Sequence, residues 1–281
     1  MARKKTSEQH EMSFLDHLEE LRWHLIRATL SVVILGVLIF IFRDFVFEEI
    51  IFAPAKPDFI SYDFLCRMAQ IFGSDKGCVE EEMNFIIQNR TMGGQFSAAI
   101  WTSIIGGVVL AFPYIMYEFW KFISPGLYEN ERKNSRGFIV ISSLLFFLGV
   151  VFGFYIIAPL SINFLANFTV GNEVKNEFDI DSYIGLVRSS ALAAGLIFEL
   201  PIIIYFFTKI GLVTPQFLRK YRKYALVIVL VLSAVITPPD IVSQIIVAIP
   251  VLILYEVSII ISKFMYKKEE EKTHTQRITG R

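Results

Sequence analysis

The stretch "AAGLIFELPIIIYFF" (residues 193–207) decides the fold: fifteen residues with a single charge, Glu199, in the middle. Its flanks extend the run to residues 184–208, long enough to cross the roughly 20-residue span of a bilayer's hydrocarbon core as an α-helix. A carboxylate at that depth costs at least about 2.5–3.5 kcal/mol on insertion scales. A chain that keeps one there is expected to use it.

Five more apolar runs share the character of the first, at residues 23–42, 96–119, 137–158, 224–237 and 241–262. Together with a 54% hydrophobic composition and a mean hydropathy of +0.53, they predict an all-α polytopic membrane protein with six transmembrane helices. Lipid admits only helices and closed barrels, because every backbone polar group must be satisfied internally. Acidic and basic residues balance at 27 each, so bulk charge points to no nucleic acid or acidic partner. Their placement is informative. Seven Lys and Arg residues (Arg43, Lys56, Arg67, Lys76, Arg90, Lys175 and Arg188) fall on one side, and the other 20 fall on the side of the two termini. By the positive-inside rule both termini are expected in the cytoplasm.

The sequence divides into a cytoplasmic amphipathic segment (1–22), a transmembrane domain (23–262) with an extended external loop at about 43–95, and a tail (263–281). The first span is too long for a cleavable signal's apolar core and is expected to serve as an uncleaved anchor. The tail "YKKEEEKTHTQRITGR" (266–281) is polar and of mixed charge, a composition expected to be disordered. Both cysteines, Cys66 and Cys78, lie in the external loop, where an oxidising compartment would favour a disulfide and a reducing one two thiols.

Three further stretches stand out. "SFLDHLEELRWHLIRATL" (13–30) opens like a capping box and carries Phe14, Leu18, Leu21 and Leu25 at helical spacing, with Asp16, Glu19, Glu20 and Arg22 off that stripe. On periodicity alone this is an interfacial helix with solvated charges. In "WKFISPGLYENERKNSRG" (120–137), Pro and Gly break the second span, and the charges that follow read equally as a basic cytoplasmic loop with compensating acids. The fifth run is only 14 residues, about 21 Å of helix. It ends in "TPPD" (237–240), so Thr237, Asp240 and Gln244 gather at the external end of a short hairpin.

"HLEELR" (17–22), "FISPGLYENER" (122–132), "FELP" (198–201) and "TPPD" (237–240) occur in that order over residues 13–264. Together they resemble the signature stretches of the TatC family, the six-span receptor of the twin-arginine protein translocase. The resemblance implies a concave, cup-like bundle. It implies that Glu20 and Glu131 receive the paired arginines of a signal peptide, with Arg22, Phe122, Pro125 and Leu127 shaping that site. A carboxylate suits the task, since the guanidinium fork meets it bidentately where an ammonium offers a point charge. It further implies that Glu199 meets a partner helix or the inserted signal, that Thr237, Asp240 and Gln244 lie where TatA/TatB-type single-span partners dock, and that Pro54 is structural. The extended external loop departs from the family pattern.

Beside this reading, a buried Glu199 also fits a structural role, paired to Arg188 or to a polar group on a neighbouring helix. It equally fits a proton- or cation-coupled secondary transporter, although no internal repeats accompany it. The four histidines, at positions 10, 17, 24 and 274, are placed outside any span core, and no HExxH or GxGD pattern occurs, so no enzyme activity is expected. There is no phosphate-binding loop and no cofactor is expected. By the resemblance, the proton-motive force drives transport.

Overall fold

The computed structural model describes residues 14–71, 85–123, 135–171, 176–237 and 241–279. Five helical spans are long and apolar enough to cross a membrane: Leu18–Ile41, Gly94–Ile123, Gly137–Asn167, Ile180–Lys209 and Ser243–Tyr266. The sixth crossing, Arg222–Ile236, has 15 residues, about as short as the sequence predicts. The all-α, six-span reading holds.

The first helix, α1 (Phe14–Ile41), runs unbroken from the described part of the amphipathic segment into the span. A short helix, α2 (Ile60–Ile71), and strand β1 (Phe85–Gln88) lead to the second span, α3 (Gly94–Ile123). The third span begins as α4 (Ser135–Phe152), passes a π-helical segment at Gly153–Ile157, and resumes as α5 (Ala158–Asn167). Pro159, fully buried at the start of α5, can donate no backbone hydrogen bond to the turn before it. Strand β2 (Asn176–Asp179) leads into α6 (Ile180–Phe198) and α7 (Leu200–Lys209), which share the fourth span. After α8 (Pro215–Lys220), α9 (Arg222–Ile236) and α10 (Ile241–Thr279) form the final hairpin.

Two features depart from the sequence reading. Strands β1 and β2 pair in parallel, from Phe85 opposite Asn176 to Gln88 opposite Asp179, and the Phe85 and Phe178 rings meet across the pair at 5.1 Å. The expected disordered tail instead continues α10 to Thr279; its Lys, Glu and Gln residues are good helix formers that a folded helix can extend into water.

Small residues set the helix spacing. A side chain at Gly107 would lie 2.6 Å from the Val32 carbonyl oxygen and 3.0 Å from the Gly36 Cα, so α1 and α3 cross at backbone contact. Gly149 brings α4 equally close to Ala194 and Gly195 of α6. Beside them Phe112 and Phe146 stack at 3.6 Å between α3 and α4. Outward positions such as Leu25, Ile34, Leu144 and Val231 stay bare and apolar, the surface a lipid-facing bundle presents.

Toward the strand-bearing face, Ile51, Ala98, Ile162, Tyr183 and Ile184 pack together. Pro54 is buried in a short turn, and its carbonyl accepts from the Tyr62 hydroxyl at 2.5 Å; Tyr183 likewise donates to the Ile51 carbonyl at 3.1 Å. Cys66 on α2 is disulfide-bonded; Cys78, the only other cysteine in the chain, lies outside the described residues.

Candidate functional site

Helices α1 and α3 meet near the face that carries the chain's amino-terminal end. On α1, Glu20, His24 and Arg27 follow one another at four- and three-residue spacing and so share a face. On α3, Tyr114, Glu118 and Phe122 do the same at four-residue spacing. His24 Nδ1 donates to Glu118 Oε2 at 2.5 Å, and Arg27 Nη1 stands 4.0 Å from the same oxygen. The Tyr114 hydroxyl also hydrogen-bonds Glu118, and the Phe122 ring meets His24 edge-on at 6.3 Å. Glu118 is 2% exposed and His24 9%.

Glu20 lies one turn beyond this pair. It is half-buried, and its Oε2 is fully shielded from solvent with no hydrogen-bond donor among the described residues. A shielded carboxylate oxygen without a donor is costly, and it is satisfied most strongly by a charged donor brought from outside. Glu19 and Arg22 are exposed beside it. Phe122 is half-buried at the last turn of α3, whereas Pro125, Leu127 and Glu131 lie outside the described residues.

Sequence reading missed Glu118 and placed His24 outside any span core. The signal was the one that found Glu199: a single carboxylate in an otherwise uncharged run, here 96–119.

Glu199 sits where α6 ends and α7 begins. Pro201 cannot donate to the preceding turn, so the helix breaks, and the Glu199 carbonyl accepts from both Ile202 and Ile203. The side chain is 6% exposed. Ser142 on α4, fully buried, donates to its Oε2 at 2.7 Å, while Oε1 is shielded with no partner. The polar neighbour that the structural alternative allowed is therefore Ser142, not Arg188, whose own Nη1 is shielded and unpaired.

In the final hairpin, Gln244 Nε2 donates to the Leu230 carbonyl at 2.9 Å, joining α10 to α9. Thr237 is buried, and its hydroxyl caps α9 by donating to the Ser233 carbonyl at 2.8 Å. Asp240 lies outside the described residues. On the face of the bundle that carries α7, Lys209 stands over the Trp120 and Tyr205 rings at 5.9 and 5.8 Å. No group of histidine, cysteine and carboxylate side chains fit to hold a metal occurs among the described residues.

Residues 16–250 match the family model described as Sec-independent protein translocase protein (TatC). TatC of Blattabacterium sp. subsp. Periplaneta americana is 46% identical over 264 residues, which cover 94% of this chain and 99% of that protein. TatCy of Bacillus subtilis is 33% identical over 268 residues, 95% of each chain. The crystal structure of the twin arginine translocase receptor TatC matches with a TM-score of 0.67 at 32% identity, covering 89% of this chain and 99% of that one.

Proposed function

The chain belongs to the TatC family of Sec-independent protein translocases, and we propose that it is the receptor that binds the twin-arginine signal peptides of folded cargo. The observation that carries this reading is Glu20: a carboxylate oxygen withheld from water and given no donor by the described residues, one turn from the His24 that meets the last turn of α3. Arginine supplies two parallel donors to such a group, and lysine supplies one point charge. Two such carboxylates, Glu20 and Glu131, read two arginines.

In this reading the face bearing Glu20 is cytoplasmic, both termini lie on it, and the membrane is the cell inner membrane. The charge distribution supports that orientation, with seven of the 27 basic residues on the opposite side. Arg22, Phe122, Pro125 and Leu127 shape the arginine site. The bound signal then enters the bundle toward Glu199, whose unpaired oxygen offers an acceptor to a polar group on an arriving helix. TatA/TatB-type single-span helices dock at the short α9–α10 hairpin near Thr237, Asp240 and Gln244, where a 15-residue span thins the local bilayer. Transport draws on the proton-motive force.

The test is capture of signal peptide by the detergent-solubilised chain. A twin-arginine peptide should bind at least about ten-fold more tightly than its twin-lysine counterpart, the difference a charge-assisted bidentate contact supplies. Equal capture of both would overturn the reading.

A further inference from the structure

The His24–Glu118 pair lies outside every family signature stretch quoted above, yet its place beside Glu20 gives it work to do. We propose that this buried pair is the positioning element of the arginine site: it fixes the rotation of α1 against α3 and so sets the face on which Glu20 presents its carboxylate. The inference rests on the receptor reading above and deepens it.

Three observations carry it. Glu20 and His24 are one helical turn apart on the same face of α1, so whatever sets the azimuth of His24 sets that of Glu20. His24 is set by Glu118 through a bond between two buried side chains that are 94 residues apart in sequence. Glu118 is in turn held from three sides, by His24, by the Tyr114 hydroxyl one turn back on its own helix, and by Arg27 at 4.0 Å. Phe122, one turn beyond Glu118, closes against the His24 ring and is the last aromatic residue of α3 before the segment that bears Glu131. Glu20 on α1 and Phe122 on α3 therefore flank one clamped junction.

Close packing alone would not do this. The backbone contact of Gly36 with Gly107, about four turns from Glu20 along α1, sets how closely α1 and α3 approach there. In this proposal the directional His24–Glu118 bond adds the orientation at the helix end, the register role for which buried polar groups are best attested.

Two readouts test it in the full-length chain in native membranes. The first needs no signal peptide: oxidative crosslinking of an E20C/F122C pair, in the parent and with Glu118→Gln or His24→Gln added. The second is binding of twin-arginine and twin-lysine signal peptides to the same single variants with Glu20 and Phe122 intact. Each single variant should lower crosslinking several-fold and reduce the twin-arginine preference by about ten-fold, the share carried by one charge-assisted contact. The reciprocal exchange H24E/E118H, which rebuilds the pair in reverse, should restore both. Unchanged crosslinking in Glu118→Gln overturns the proposal, and so does an exchange variant that accumulates normally but restores neither readout. If the parent chain shows no twin-arginine preference, the receptor reading fails by itself; loss and recovery of crosslinking would still support the positioning role.

Discussion

Glu199 and Glu118 are both nearly inaccessible carboxylates in transmembrane helices, and their surroundings separate their roles. Glu118 has three neighbours that hold it; Glu199 has Ser142 and an oxygen left over. Glu199→Ala removes the acceptor for the Ser142 hydroxyl, which leaves a buried donor unpaired at a cost of about 1–3 kcal/mol. The chain should still insert and bind signal peptide, while export of a twin-arginine reporter, normalised to protein level, should drop at least ten-fold. Glu199→Gln keeps an acceptor for Ser142 and should retain most of the export. If Gln is as damaging as Ala and Asp is tolerated, the charge and not the hydrogen bond is what transport uses. Glu199 was legible in the sequence as an isolated charge in an apolar run; Glu118 carries the same mark in 96–119 and was missed. Their partners were not legible, because a hydroxyl such as Ser142, 57 positions away, carries no local mark of what it will meet.

At the scale of elements, the apolar runs located every span, and the break at Glu199 followed from Pro201. The strands were not legible: four residues each, separated by the whole of the second and third spans, they are defined by pairing with one another and not by any local alternation. The helical tail was misread because polar composition was taken to mean disorder, when Lys- and Glu-rich sequence propagates a helix already nucleated inside the membrane. Helix spacing yields a sharper prediction. Gly107→Leu should force α1 from α3 and lower the unfolding midpoint in detergent, since overpacking costs about 1–3 kcal/mol or more. Gly185→Ala, on α6 with nothing within 4 Å of the new methyl group, should leave the midpoint unchanged or raise it slightly. Equal effects at the two positions would mean that backbone contact does not set the α1–α3 distance.

For the molecule as a whole, the two faces of the bundle divide the labour. One carries the α2 helix, the strand pair and Cys66; the other carries the clamped α1–α3 junction and Glu20. Because Cys66 is disulfide-bonded and lies far from that junction, alkylation under a rapid quench should modify neither cysteine until reductant is added, and replacing both with Ser should leave export intact. Free thiols in freshly quenched membranes would contradict the first expectation. The division also defines the central claim, that discrete carboxylates at one face read paired arginines. Its most direct measurement is photo-crosslinking of a labelled twin-arginine signal peptide to four single Ala variants, at Glu20, Glu131, Glu19 and Glu129, at fixed salt. Glu20→Ala and Glu131→Ala should each weaken crosslinking by about ten- to a hundred-fold, while Glu19→Ala and Glu129→Ala, removing neighbouring carboxylates, should change it less than two-fold. Small, equal losses at all four positions would contradict the account and reduce the site to a diffuse acidic surface.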